Sequence, residues 1–420
     1  MPTKKLPPIS KQFFILFIAI LAFVSKSAAR NWVDQNMVDS LPKEVHRKDL
    51  DGTDLTDVIL RILHKPKIKI ESDSLSFRKY NYSLVPAAGY TLQTGFAGIV
   101  SANLGFYNYE SADAKISNIA SSVTYSQYNQ IILPLTANIW FNNGKYNFVS
   151  DNRYISYPSS IYGLGGKTDP NKARTINFSG LKLHNKLLAS FSKNWMLGLG
   201  IYYDQFWDIT VLDPTTKRIS NLIQRELGTT ETSVGPIVNV MYDSRTNQIN
   251  PDKGTFLNIV LRDNFKTIGS DNDWQSLVID TRKFISFPRG SKNVLALWSL
   301  EWLTLGGKIP YLIMPSTGWD EQYNTGRGYI QSRFRGRSMS YLESEYRFAI
   351  SRNGLFGAVV FANLQSFSGE LSKTYSTLLP GYGAGIRLKI NKHSRTNICI
   401  DYGIGKNGTG GFYVNLGEVF

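Results

Sequence analysis

The sequence predicts an all-β protein, a transmembrane antiparallel β-barrel of about 16 strands, and three observations lead there. From about Tyr82 to the end, stretches of roughly ten to fourteen residues alternate apolar with small or polar side chains, about sixteen times. Successive strand residues point to opposite faces, so each stretch has one apolar face and one wetter face. The connections between stretches alternate short and long, the habit of barrels that cross an outer membrane. Beyond the first 29 residues, no run approaches the roughly 18 consecutive apolar residues of a membrane helix. Alternation alone also fits a soluble sandwich with its apolar faces inward. The connections and an export leader decide for the barrel.

Residues 1–29 read as a secretory signal peptide. Lysines come first, then the apolar run Phe13–Val24, then "SKSAA", with Ser27 and Ala29 small enough for a cleavage site. As a helix that run rises only about 18 Å, short of a bilayer core of about 30 Å. Residues 30–80 read as a short periplasmic segment. Within it "DLTDVILRILHKP" predicts an amphipathic helix, with Asp54 as N-cap, Val58, Ile59 and Ile62 as its stripe and Pro66 as its stop.

The barrel is expected over 81–420. In "TFLNIVLRD", Leu257, Ile259 and Leu261 oppose Asn258 and Arg262; in "YGAGIRLKI", Ala384, Ile386, Leu388 and Ile390 oppose Arg387 and Lys389. "NVLALWSLEWLTL" sets Val294, Ala296, Trp298, Leu300 and Trp302 on a lipid face, with Ser299 and Glu301 inward. Tight links fall at 142–145, 190–194, 288–292, 351–354 and 392–395, and long ones at 159–174, 212–230, 306–340 and 368–380. The aromatics of "ANIWFNN" and "GIYYDQFW" are placed as interface girdles. The last strand carries Phe412, Val414 and Leu416 toward lipid. Glu418 interrupts that face, and the chain ends on the aromatic Phe420.

The formal charge is +15, four of its positive charges lying in the leader. Cys399 is the only cysteine, so no internal disulfide forms. His46, His64, His184 and His393 show no metal-ligand spacing, and no metal, cofactor, nucleic acid or catalytic residue is expected. A lipase would use His184 and Ser190, with Asn185 nearby. Six strand residues span about 20 Å, too far for a nucleophile and its base. A passive porin-like channel is the other alternative. Its lumen would be lined by Arg262, Arg282, Arg387 and Lys389, offset by Asp280, Glu301, Glu343, Glu345 and Asp401.

Two motifs go further. "GRGYIQSRFRGRSMSYLESEYRF" packs glycines and arginines ahead of an alternating strand. "YDSRTNQINPDKGTFLNI" joins Asp243 and Arg245 to Pro251 and Gly254 before the next strand. Together, and in this order, they resemble the long outer loop and an inner turn of the BamA/TamA family, the bacterial surface antigen superfamily. "YGLGGKT" and "VPAAGYTLQTGFAGIV" resemble its short Bacteroidetes-type members. The resemblance implies outer-membrane location and insertion or translocation of proteins or lipids. It also implies a loop tip of Arg327, Gly328 and Tyr329 folded into the lumen. Separately, the terminal aromatic Phe420 on an amphipathic strand resembles the C-terminal assembly signal of bacterial outer-membrane proteins. An enclosed guanidinium needs acidic partners, and Glu343, Glu345 and Glu301 are the candidates. Asn363 stands where many members carry an aspartate. Arg333, Arg335 and Arg337 either join the loop or form a solvated face toward lipopolysaccharide phosphates. Residues 30–80 are too short for a POTRA domain of about 75 residues. Expected partners are outer-membrane lipids and lipopolysaccharide, the assembly machinery, and client proteins or lipids.

Overall fold

A computed structural model describes residues 52–62, 80–109, 115–212, 227–369, 375, 377–392 and 395–420. The predicted signal peptide, most of the 30–80 segment and Pro66 lie outside these residues. Among the described residues, one α-helix, α1 (Leu55–Ile62), precedes the strands. The strands begin with β1 (Tyr80–Thr91), β2 (Gly95–Phe106), β3 (Ser117–Ser126), β4 (Ile131–Phe141), β5 (Tyr146–Ser156) and the short β6 (Ser159–Ile161). They continue with β7 (Arg174–Ser192), β8 (Trp195–Leu212), β9 (Glu231–Asp243), β10 (Gly254–Asn264), β11 (Trp274–Ser286) and β12 (Val294–Gly307). The last five are β13 (Met339–Ala349), β14 (Phe356–Phe367), β15 (Leu379–Asn391), β16 (Thr396–Gly405) and β17 (Gly410–Leu416).

Each long strand pairs antiparallel with the next, and β6 only caps β7 beside β5. Strands β1 and β17 approach each other, yet no ladder joins them among the described residues. The barrel is therefore nearly closed, with a seam between its first and last strands. The long connections 157–173 and 308–338 lie at one end, and the tight turns 142–145, 193–194 and 392–395 lie at the other, the short-turn end. Large apolar side chains are exposed on strands all round the wall, among them Phe96, Val123, Leu135, Leu199, Val238, Leu342, Ile386 and Phe412. A belt of this extent is far beyond the patches a soluble monomer exposes, and it matches a lipid-facing surface.

Strand β12 reverses the sequence expectation. Ala296, Trp298 and Leu300 are buried inside the barrel, while Leu297 and Leu305 face out. Glu301 pairs in register with Ser340, which lies on the outward face of β13 beside Leu342, so Glu301 also points outward. The physical reason is that this part of the interior is filled with apolar loop side chains. Both faces of β12 are apolar, and alternation cannot say which one meets lipid. Tyr202, Phe206 and Trp140, expected in the girdles, are likewise buried.

Helix α1 starts at Asp54, whose Oδ1 accepts from the amide of Asp57 at 2.9 Å, while Asp57 accepts from the amide of Asp54 at 3.2 Å. This reciprocal cap satisfies two amides that the first turn leaves unpaired. The predicted stripe is corrected. Ile62 is 68 % exposed, and the buried face runs through Asp54, Asp57 and Leu60. Polar contacts of the first turn with the barrel rim set that orientation. Ile59's side chain lies outside the described residues.

Candidate functional site

The long connection 308–338 between β12 and β13 packs into the barrel. Ile309, Leu312, Ile313 and Trp319 join wall residues such as Ile155, Phe178, Phe206 and Trp274 in one buried cluster. Tyr329 and Phe334 join Trp298, Tyr341, Phe367 and Leu379 in another. The Asp320 carboxylate accepts from the amides of Gln322, Asn324 and Thr325 and from the Thr325 hydroxyl, which curls the chain before the tip. Gly326 and Gly328 then take φ of 78° and 109°, a region that favours glycine.

At the tip, Arg327 is 1 % exposed. Its Nη1 donates to Asp401 Oδ2 at 2.6 Å, and its Nη2 donates to both Glu343 and Glu345. The guanidinium lies 3.6 Å from the centroid of the Phe361 ring. The Arg327 carbonyl accepts from Asn363 Nδ2 at 2.9 Å. Asn363 thus holds the loop backbone and leaves the charge to the carboxylates. Glu301, proposed as a further partner, accepts instead from Ser340 on the outer face. The Tyr413 hydroxyl accepts from the Gly328 amide and donates to the Tyr329 carbonyl, both at 2.9 Å. Tyr329 donates to the Pro380 carbonyl at 2.6 Å and accepts from the Lys406 amide at 2.8 Å.

The charges form one network. Arg347 donates to Glu345 at 2.7 Å and to the main-chain oxygen of Phe420 at 3.0 Å. Arg387 donates to Asp401 at 2.5 Å and to Glu418 at 2.8 Å. Three guanidiniums therefore face four buried carboxylates across β13, β15, β16, the loop and the tail after β17. The sequence reading of Glu418 on the lipid face is corrected. Strand β17 ends at Leu416, Gly417 turns with φ 89°, and the Glu418 side chain points inward, 2 % exposed. Phe420 follows it in, 4 % exposed, with its ring 5.1 Å from Trp298.

Burial alone would lift the Glu418 carboxyl, but Arg387 and Arg347 more than offset that and hold it below the ordinary carboxylate range. A carboxyl with a folded value below its unfolded one stabilises fully above about pH 4.3, and that contribution disappears as pH falls through the folded value. Urea midpoints should therefore drop on acidification below about pH 4.3. Glu418→Gln should lower the neutral-pH midpoint and flatten that drop.

The remaining arginines divide. Arg333 donates to the Thr168 hydroxyl at 2.5 Å and to its carbonyl at 2.7 Å, and Arg335 donates to the Tyr311 carbonyl at 2.7 Å. Both are buried and knit the loop to its neighbours; Arg337 is half-buried and donates to the Gly307 carbonyl. The turn motif is separate from the tip. Arg245 pairs with Asp243 through Nε at 3.0 Å and Nη2 at 2.8 Å, Pro251 is buried, and Gly254 has φ 113° with a Ser244 oxygen where a Cβ would sit. It shapes the β9–β10 turn at the short-turn end. His184 lies 2.9 Å from Asp204, beside Arg262, whereas the Ser190 hydroxyl donates to the Ser192 carbonyl, so the two are not brought together. Between the loop and the β7–β12 wall lies a cavity of about 120 Å³ lined by His184, Asp204, Arg262, Arg282 and Trp302.

Sequence reasoning did not connect Asp401 or Tyr413 to the loop tip. Asp401 was legible as an inward carboxylate, but its distance from Arg327 depends on the register of four strands. Tyr413 carried no signal beyond its place on the inward face of β17.

By sequence, no family model and no curated protein matches the chain. By structure, it resembles BamA from Haemophilus ducreyi lacking POTRA domains 1–3, with a TM-score of 0.51 and 12 % identity over 80 % of this chain and 69 % of that one. It resembles CdiB from Acinetobacter baumannii (TM-score 0.54, 13 % identity, 81 % of this chain and 60 % of that one). It also resembles CdiB from Escherichia coli (0.57, 12 %, 82 % and 63 %). The chain has the fold of these barrels. It spans less than two thirds of the two CdiB chains. Within this BamA- and CdiB-like fold, the buried arginine network ties the long loop to the C-terminal strands.

Proposed function

We propose that the chain is an integral β-barrel of the bacterial outer membrane that assists insertion or translocation of proteins or lipids. The interior loop would serve as a plug, and the β1–β17 seam as the place where a client strand or lipid engages. The observation that carries this reading is Arg327, fully enclosed and bonded to three carboxylates on β13 and β16. A desolvated charge held this way is costly to assemble and fixes one loop position, which favours a plugged barrel over an open channel. In this reading the barrel works by opening and closing, without a catalytic group. Its own insertion would depend on the cell's assembly machinery.

Planar-bilayer recording tests the plug. The intact protein should be mostly closed, with brief openings, and removal of 312–335 should give a large, steady conductance. A stable ohmic conductance from the intact chain would establish the porin-like alternative. Depletion in the native cell should alter outer-membrane protein or lipid content; an unchanged membrane would count against the transport role.

A further inference from the structure

Helix α1 touches two separate hairpin turns of the barrel. The Thr53 amide donates to the Asn353 carbonyl in the β13–β14 turn at 2.8 Å. The Asp54 carboxylate does two jobs at once: Oδ1 caps the helix, and Oδ2 accepts from the Lys392 amide in the β15–β16 turn at 3.0 Å. Lys392 Nζ reaches Asp57 Oδ2 at 2.8 Å, with the lysine and aspartate side chains 16 % and 9 % exposed. From the other side the β9–β10 turn reaches the same hairpin. Asn250 Nδ2 donates to the Arg395 carbonyl at 3.4 Å, and Arg395 lies 3.4 Å from Asp252. Ile249 also lies against Gly417, where β17 ends.

We propose that α1 is a clasp on the rim, which together with the β9–β10 turn fixes the β15–β16 hairpin and so restrains the C-terminal flank of the seam. The energetic argument is local. Among the described residues, strand β17 has a ladder on one side only, so its order leans on β16. The end of β16 nearest the rim is held by the turn that α1 and the β9–β10 turn grip. Interactions between a charged amine and a carboxylate that are mostly shielded from water weigh more than exposed pairs, and losing them lowers the cost of local opening. Segments with an unpaired edge open most readily, so the loss should appear in β15–β17 first. The idea goes beyond the proposed transport role, and its test needs no transport assay.

The test is hydrogen exchange on the full chain in detergent micelles, with tryptic cleavage after Arg61 as a second readout. Lys392→Glu should speed cleavage at Arg61 and raise exchange in β15–β17 about tenfold, leaving β3–β5 unchanged. Because Lys392→Glu alters the barrel's own turn, Asp57→Asn, which changes only the helix, is run beside it and should give the same regional loss. Faster cleavage with unchanged β15–β17 would overturn the proposal, as would faster exchange all round the barrel.

Discussion

Arg327→Ala is expected to destabilise the barrel by about 3–5 kcal/mol, the usual cost of removing one partner from a buried charge cluster. Its partners do not suffer equally. Glu345 keeps Arg347 and Asp401 keeps Arg387, whereas Glu343 is left with the Tyr341 hydroxyl and no cation. Arg327→Ala with Glu343→Gln should therefore cost clearly less than the two single changes added together, a coupling that a double-mutant cycle isolates. Arg327→Lys should recover little, because an ammonium cannot present the planar fork that reaches β13 and β16 together. Urea unfolding of the detergent-folded protein measures the energies, and tryptic cleavage within 308–338 reports whether the loop has left its seat. An alanine variant with unchanged midpoint and protected loop would remove the foundation of the plug.

Legibility in the sequence followed the range of the interactions. Period-two alternation and the short-long rhythm of the links are local, and they were enough for the fold and for the strand count. Arg327 with Glu343 and Glu345 was readable because the loop runs straight into β13, so the partners lie within 18 residues. Asp401 is 74 residues away and reaches Arg327 through the registers of β13 to β16, which no local pattern states. Glu301 and the orientation of β12 were misread for a different reason. A barrel that encloses a packed loop has an apolar inside as well as an apolar outside, and the rule of polar-in, apolar-out fails where the plug touches the wall. Glu418 was misplaced because one glycine at position 417 ends the strand and breaks the count of alternating faces.

The other large effect is expected from a glycine that carries no charge at all. The loop tip lies flat on the β14–β17 wall, backbone against backbone. A Cβ on Gly403 would stand 2.7 Å from the Gly328 amide nitrogen and 3.0 Å from the Arg327 carbonyl carbon. The atoms it would meet are main chain, so no rotamer change relieves the contact, and the tip itself must lift. Lifting it by even an ångström draws the Arg327 fork away from Asp401 and breaks the two hydrogen bonds of Tyr413. Gly403→Val should cost at least the roughly 1–3 kcal/mol of ordinary overpacking. It should also reproduce the loop protease sensitivity of Arg327→Ala while leaving every charge in place. Gly98→Val is the matched control: Gly98 is an exposed strand glycine with nothing within 4 Å of its Cβ position, and its substitution should leave stability and loop protection unchanged. If Gly403→Val were as well protected as the parent, the tip would not be seated by close contact. The network would then have to hold the loop by electrostatics alone.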